Sequence, residues 1–161
     1  VTDAALKRGD FKTFESDVQH ALRFGAVHYP GTADPGQRGN MFITAHSSYN
    51  FFDAGRYKDA FALLQDLEVG DEYSIYSEGR LHRYRISEKF EVSPRDVSVL
   101  DQPLDRRMAT LMTCTPIGTN LRRLIIQADE IDPMTGEMMV IKENSPVENV
   151  QQYEWEGELP V

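Results

Sequence analysis

The segment TLMTCTPIGTNLRRLII, residues 110–126, contains the single cysteine of the 161-residue chain. Two apolar runs flank a turn-forming sequence, a pattern typical of two antiparallel strands joined by a hairpin connection. When these strands pair around the centre of the turn, Cys114 faces Arg123. Directly opposed residues on one sheet face have Cβ atoms about 4.5–5.5 Å apart. The pattern therefore predicts that Arg123 lies over Cys114 and that Arg122 points to the other face.

The two arginines and the cysteine each have two interpretations. A cation beside a thiol favours the thiolate and can donate hydrogen bonds to an oxyanion, which makes Arg123 a candidate functional residue. Alternatively, Arg122 and Arg123 only solubilise a strand end, and a register slip of one residue would exchange their positions. Cys114 alone could equally be an inert buried thiol, because free cysteine is among the most buried residue types.

Composition limits the classes of protein to which the chain can belong. Its length is that of one domain with a real core, and 40% apolar with 27% charged residues is typical of a globular protein. The net charge of -9 argues against nucleic-acid binding, because phosphate contacts need a surplus of Lys and Arg. No apolar run approaches the roughly 18 residues of a spanning helix, and one cysteine cannot form an internal disulfide.

A thiol nucleophile needs a group that accepts and donates a proton, most often histidine, and the chain has four. His46 ends the apolar run at residues 41–46, at a strand-to-loop junction where functional side chains often lie. We take His46 as the leading candidate, with His28 as the alternative. His20 lies on a predicted packing helix, and His82 is expected to be exposed among arginines.

The remaining pattern predicts a mostly antiparallel barrel or sandwich with added helices. Residues 10–24 carry apolar side chains at helical spacing behind a capping Asp10, and residues 56–67 show a second helical pattern. Residues 72–77 and 81–92 alternate around a turn and form a predicted hairpin. Five further features are predicted: a strand at 41–46, a long loop with at most a helical turn at 93–107, strands at 109–114 and 122–131, and a hairpin turn at 132–136.

Three separated motifs resemble those of the sortases, cysteine transpeptidases of Gram-positive and some other bacteria. TLMTC at residues 110–114 resembles the TLxTC signature of the family, and Arg123 follows the cysteine at the family spacing. Residues 28–48 are similar to the segment that ends in the catalytic histidine. The resemblance covers residues 22–131 in the family order, is nearest to class C and class D, and outweighs the inert-thiol interpretation.

The resemblance implies an eight-stranded β-barrel of the sortase type. Residues 1–25 are then an N-terminal helical segment packed on the barrel, and residues 26–131 are the catalytic barrel. Residues 132–161 form a C-terminal hairpin and an acidic tail, which could shield the cleft or continue toward an anchor. The aromatic Asp-Pro lid motif of many pilin sortases is not found upstream.

The resemblance also implies a reaction. Cys114 would attack the Thr–Gly carbonyl of an LPxTG-like sorting signal to give a thioacyl-enzyme, and the acyl group would pass to an amine of peptidoglycan or a pilin subunit. His46 would exchange protons with the two amines, Arg123 would stabilise the oxyanion or hold the peptide, and Thr113 would line the site. No metal or cofactor is required by this chemistry.

The implied location is extracytoplasmic, at the cell surface, with membrane attachment only through an anchor absent from this chain. Two other functions stay open. One is a thiol hydrolase, which releases its acyl group to water. The other is a non-catalytic barrel that binds a sorting signal without reacting with it.

Overall fold

The computed structural model of the protein describes residues 3–47, 59–141, 152–155 and 157–160. Two α-helices and six strands lie in these residues, together with two 3₁₀ helices at Ala62–Asp66 and Val97–Leu100. The α-helices are α1 (Ala4–Lys7) and α2 (Phe11–Leu22). The strands are β1 (Val27–His28), β2 (Gly39–Thr44), β3 (Glu72–Ser77), β4 (Arg80–Val92), β5 (Arg107–Thr115) and β6 (Arg122–Ile131).

The six strands form one sheet in the order β1-β2-β5-β6-β4-β3. All neighbours are antiparallel except β2 and β5, which are parallel, so the predicted mostly antiparallel β-fold is confirmed. The described residues contain six strands where eight were expected. Residues 132–141 return beside β6 through a single bridge, between Ile131 and Met138, and residues 48–58 lie outside the described part.

Side chains of β5 and β6 alternate between two apolar clusters, one on each face of the sheet, as the period of two along a strand requires. Met112 and Ile125 enter one cluster, whereas Leu111 and Ile126 enter the other. Both central strands are therefore buried on both faces. Any functional side chain at their ends is held by a rigid sheet.

Helix α2 covers the cluster that contains Met112. The side chain of Asp10 accepts a hydrogen bond from the Thr13 N–H at 3.2 Å and caps the first turn. Phe14, Val18 and Leu22, spaced four residues apart, are all buried. The helix predicted at residues 10–24 is thus confirmed. Among the described residues, none of the helices has the length and apolar character needed to cross a membrane.

Two predictions about local structure were wrong. Residues 56–67 do not form a packing helix in the described part: only a 3₁₀ helix at Ala62–Asp66 is present, and residues 56–58 lie outside it. His82 was expected to be exposed, but its side chain is only 13% exposed and its Nδ1 lies 2.7 Å from Glu130 Oε1. The reason is the β4–β6 pairing, which brings together residues far apart in the chain.

The loop predicted at residues 93–107 is confirmed up to residue 106, with one 3₁₀ helix inside it, and is tied to the start of β2. The Gln102 amide oxygen accepts the Asn40 N–H at 3.0 Å, and its amide nitrogen donates to the Asn40 carbonyl at 2.9 Å. Thr110 of β5 donates its hydroxyl to the Asn40 side-chain oxygen at 2.8 Å. This buried network fixes β2 against β5, the two strands whose ends carry the candidate site.

The core contacts of the central strands predict a large effect of one truncation. Ile125→Ala removes a fully buried side chain, and we expect the free energy of unfolding in urea to fall by about 2–5 kcal/mol. The matched control is Ile117→Ala, at a turn residue that is 47% exposed, which should change stability by less than about 0.5 kcal/mol. Equal losses in both variants would contradict the assignment of the core.

Candidate active site

Strands β5 and β6 place Cys114 directly opposite Arg123 and Thr115 opposite Arg122. This is the register that the sequence predicts. Arg123 is 1% exposed, whereas Arg122 lies on the surface with its Nε 3.0 Å from Glu91 Oε2. The two arginines therefore point to opposite faces, and only Arg123 shares a face with the thiol.

His46 lies two residues after Thr44, the last residue of β2, and β2 pairs with β5 on the side opposite β6. The parallel register pairs Thr44 with Met112, and partners along a parallel pair advance together. Two positions further on, residue 46 falls beside Cys114. The sheet thus brings the imidazole-bearing segment and the thiol-bearing strand end to one place, and His46 itself is half-buried.

Two side-chain hydrogen bonds fasten the His46 segment to β5. The Thr113 hydroxyl donates to the carbonyl of Ala45 at 2.7 Å. The Ser47 hydroxyl donates to the carbonyl of Cys114 at 2.8 Å. Both hydroxyl-bearing residues are buried, and they flank His46 and Cys114 in the chain. Sequence reasoning missed Ser47, although its place directly after a candidate histidine was a usable signal.

The alternative histidines lie elsewhere. His28 is exposed, and its Nε2 lies 3.0 Å from the carbonyl of Ala33 in the loop that follows. His82 is on β4 ten residues before Val92, which pairs with Arg123, so it lies about 30 Å along the strand from the candidate site. Within the described ranges, no three His, Cys, Asp or Glu side chains gather into a group that could hold a metal ion.

Two opposing effects act on the Cys114 thiol, which is 8% exposed. Burial raises the pKa of Cys114, and the charge of Arg123 lowers it by a smaller amount. The charge of Arg123 thus acts in the direction that the sequence predicts, but burial has the larger effect. The thiol is therefore protonated near neutral pH and needs a base before it can act as a nucleophile.

Within the described residues, every hydrogen bond that the Arg123 guanidinium donates goes to a main-chain carbonyl. Its Nη1 donates to Asn120 at 3.0 Å and to Arg122 at 3.3 Å, Nε donates to Pro160 at 3.0 Å, and Nη2 donates to Leu159 at 3.0 Å. No carboxylate in the described part of the chain forms an ion pair with it. A buried cation surrounded by neutral acceptors is suited to hold a peptide main chain or a developing oxyanion.

Comparison with known proteins points to one family. The family model described as Sortase domain matches residues 9–131. A Clostridium perfringens Sortase D5 transpeptidase is 34% identical, with a TM-score of 0.59 over 72% of this chain and 66% of that chain. The pilus-related sortase C of Group B Streptococcus is 32% identical, with a TM-score of 0.63 over 71% of this chain and 57% of that chain.

A third structure, sortase C-1 from Actinomyces oris, is 26% identical, with a TM-score of 0.62 over 70% of this chain and 62% of that chain. The chain thus spans between 57% and 66% of these three structures. Comparison with curated proteins gave no significant match. The predicted sortase-type fold is confirmed, and class C and class D sortases occur among the similar structures.

The Ser47 bond predicts a separable effect on the thiol. Ser47→Ala leaves the Cys114 carbonyl without this donor, so we expect a loss of about 1–2 kcal/mol in stability and a changed alkylation rate of Cys114. The control is Ser87→Ala, which removes a similar bond to the carbonyl of Gln127. It should lower stability without altering alkylation. An unchanged alkylation rate in Ser47→Ala would show that this bond does not position the thiol.

The balance of burial and charge predicts the pH dependence of alkylation. Because the folded thiol has a raised pKa, its reaction with iodoacetamide should keep increasing at pH values where the unfolded chain has already reached its plateau. Arg123→Gln removes the cation that lowers the pKa, so its midpoint should move further upward. Arg122→Gln should leave the midpoint in place. A folded midpoint below that of the unfolded chain would contradict this balance.

Proposed function

Since the chain belongs to the sortase family, we propose that it is a cysteine transpeptidase acting on an LPxTG-like sorting signal. The observation that supports this most directly is the pairing of Cys114 with Arg123, with residue 46 beside the same strand end. Acyl transfer from a peptide needs a nucleophile, a group that moves a proton and a donor for the oxyanion. Cys114, His46 and Arg123 supply these three groups.

The proposed reaction begins with a neutral thiol, because burial raises the pKa of Cys114. As the sulfur attacks the carbonyl carbon of the Thr–Gly bond, its proton passes to His46. His46 then gives this proton to the glycine amine as the carbon–nitrogen bond breaks, which leaves a thioester on Cys114. In the second half, His46 accepts a proton from the incoming amine, the amine displaces the sulfur, and the proton returns to the thiol.

Arg123 and Thr113 have different parts in this proposal. The buried guanidinium of Arg123 is held in place through Nη1 by the carbonyls of Asn120 and Arg122, so Nε and Nη2 are the groups that would donate to the oxyanion or to the peptide. Thr113 was expected to line the substrate site. Its hydroxyl is directed at the carbonyl of Ala45, which supports a positioning role for the His46 segment instead.

The proposed acyl acceptor is an amine of peptidoglycan or of a pilin subunit. A pilus-related sortase C is among the similar structures, which supports an amine on a surface protein as one acceptor. Such acceptors lie outside the cytoplasmic membrane. The proposal therefore includes an extracytoplasmic location at the cell surface.

The thioacyl step can be tested by intact-mass measurement. Incubation with an LPxTG peptide should add the mass of the peptide up to its threonine to the protein. Cys114→Ala should abolish this adduct and keep the same melting temperature within a few degrees, because the two side chains are close in size. Adding an amine should convert the adduct into an amide product. Release of the acid alone, with or without the amine, would favour a thiol hydrolase over a transpeptidase.

The two neighbouring arginines form a matched pair for the oxyanion role. Arg123→Gln should lower the rate of acylation about 10²–10³-fold, because it removes a charged donor from the place where negative charge develops. Arg122→Gln removes the same kind of charged side chain from the opposite, exposed face of the sheet and should retain most activity. Equal losses in the two variants would contradict the assigned role of Arg123.

A further inference from the structure

The last described residues of the chain enter the candidate active site. Leu159 is 1% exposed and lies in the apolar cluster that contains Phe14 and Ile125. Its N–H donates to the carbonyl of Pro94 at 2.7 Å. These tail residues lie beyond residues 9–131, the part that matches the family model, so the family domain does not itself supply them.

Two of the four hydrogen bonds that the Arg123 guanidinium donates within the described residues go to the tail. Nη1 of Arg123 donates to the carbonyl of Asn120, in the turn before β6, and to the carbonyl of Arg122, the first residue of β6. Nε and Nη2 instead donate to the carbonyls of Pro160 and Leu159, at 3.0 Å each. Two consecutive peptide units are thus held by one guanidinium, as the main chain of a bound peptide would be.

Contacts upstream hold the tail along α2. The indole of Trp155 lies 5.5 Å from the ring of Tyr29 and 6.5 Å from that of Phe14, between centroids. The Gln152 amide donates to the carbonyl of Gln102 at 3.1 Å. A cavity of about 310 Å³ remains between α2 and this tail, so the tail covers the surface without filling it.

We infer that the described tail, residues 152–155 and 157–160, is an intramolecular peptide ligand of the active site and competes with the sorting signal for Arg123. This inference rests on the proposed function. Leu159 and Pro160 are the same dipeptide that begins an LPxTG-like signal, and their carbonyls accept from the two Arg123 groups, Nε and Nη2, that would otherwise be open to a substrate main chain. The structure is therefore a self-inhibited state, and the substrate gains access to Arg123 when the tail leaves.

Trp155 is the single tryptophan of the chain and reports the position of the tail. In the Cys114→Ala protein, which cannot react, titration with the peptide Leu-Pro-Ala-Thr-Gly should shift the Trp155 emission to longer wavelength as the indole leaves Tyr29 and Phe14. A peptide of the same composition in scrambled order should leave the emission unchanged.

Loosening the tail should strengthen peptide binding. Leu159→Asn places a polar group in the apolar cluster and should release the tail from Arg123. If the fraction of molecules with a released tail rises from about a tenth to nearly one, the dissociation constant of the peptide falls about tenfold. Leu104→Asn, the same change at an exposed loop residue, should leave it unchanged. Leu159→Ala is a milder second variant and should shift affinity in the same direction with less effect on folding.

The outcomes separate this inference from the proposed function. Equal peptide affinity in the unmodified and Leu159→Asn proteins, with no change in Trp155 emission, overturns the inference and leaves the proposed function standing. A labelled Gly-Glu-Leu-Pro-Val peptide, followed by fluorescence anisotropy, should bind Leu159→Asn and lose affinity when Arg123→Gln is added. If this peptide binds and Leu-Pro-Ala-Thr-Gly does not, the inference stands and the proposed substrate is wrong; if neither binds, both fail.

Discussion

The central strand β5 is hydrogen-bonded on both sides, and this constraint determines where every candidate functional group lies. Its antiparallel pairing with β6 puts Arg123 opposite Cys114, and its parallel pairing with β2 brings residue 46 to the same end. A shift of one residue in either pairing would move a whole set of side chains to the other face. The buried clusters on both faces of the sheet oppose such a shift, so core packing and site geometry are specified together.

The electrostatics of the site follow from its burial. Desolvation raises the pKa of Cys114 more than the charge of Arg123 lowers it, so the resting site holds a neutral thiol and a cation. Negative charge would therefore appear there only when a carbonyl is attacked. A buried cation whose described partners are all carbonyls stabilises such a charge more than it stabilises the resting thiol.

Sequence reasoning succeeded for features that nearby residues determine, such as the register of a hairpin or a capped helix. The Cys114–Arg123 register follows from the centre of one turn, and α2 follows from a cap and a stripe of apolar residues. It failed where the decisive contact joins residues that are far apart in the sequence. His82 is partly buried beside Glu130, which β6 supplies from 48 residues away, and the Ser47 hydroxyl donates to a carbonyl 67 residues away. The spacing of residues within one segment does not predict such distant partners.

In the proposed competition, Arg123 would bind two different ligands, the tail and the sorting signal. Its donors meet main-chain carbonyls, which every peptide carries, so the guanidinium alone does not distinguish one extended segment from another. An unpaired buried donor is costly, and a departing tail would leave Nε and Nη2 without acceptors until water or another peptide replaced it. Exchange of one peptide for another keeps the number of hydrogen bonds constant. Selectivity then depends on side-chain contacts, such as those of Leu159 with the apolar cluster around Phe14 and Ile125.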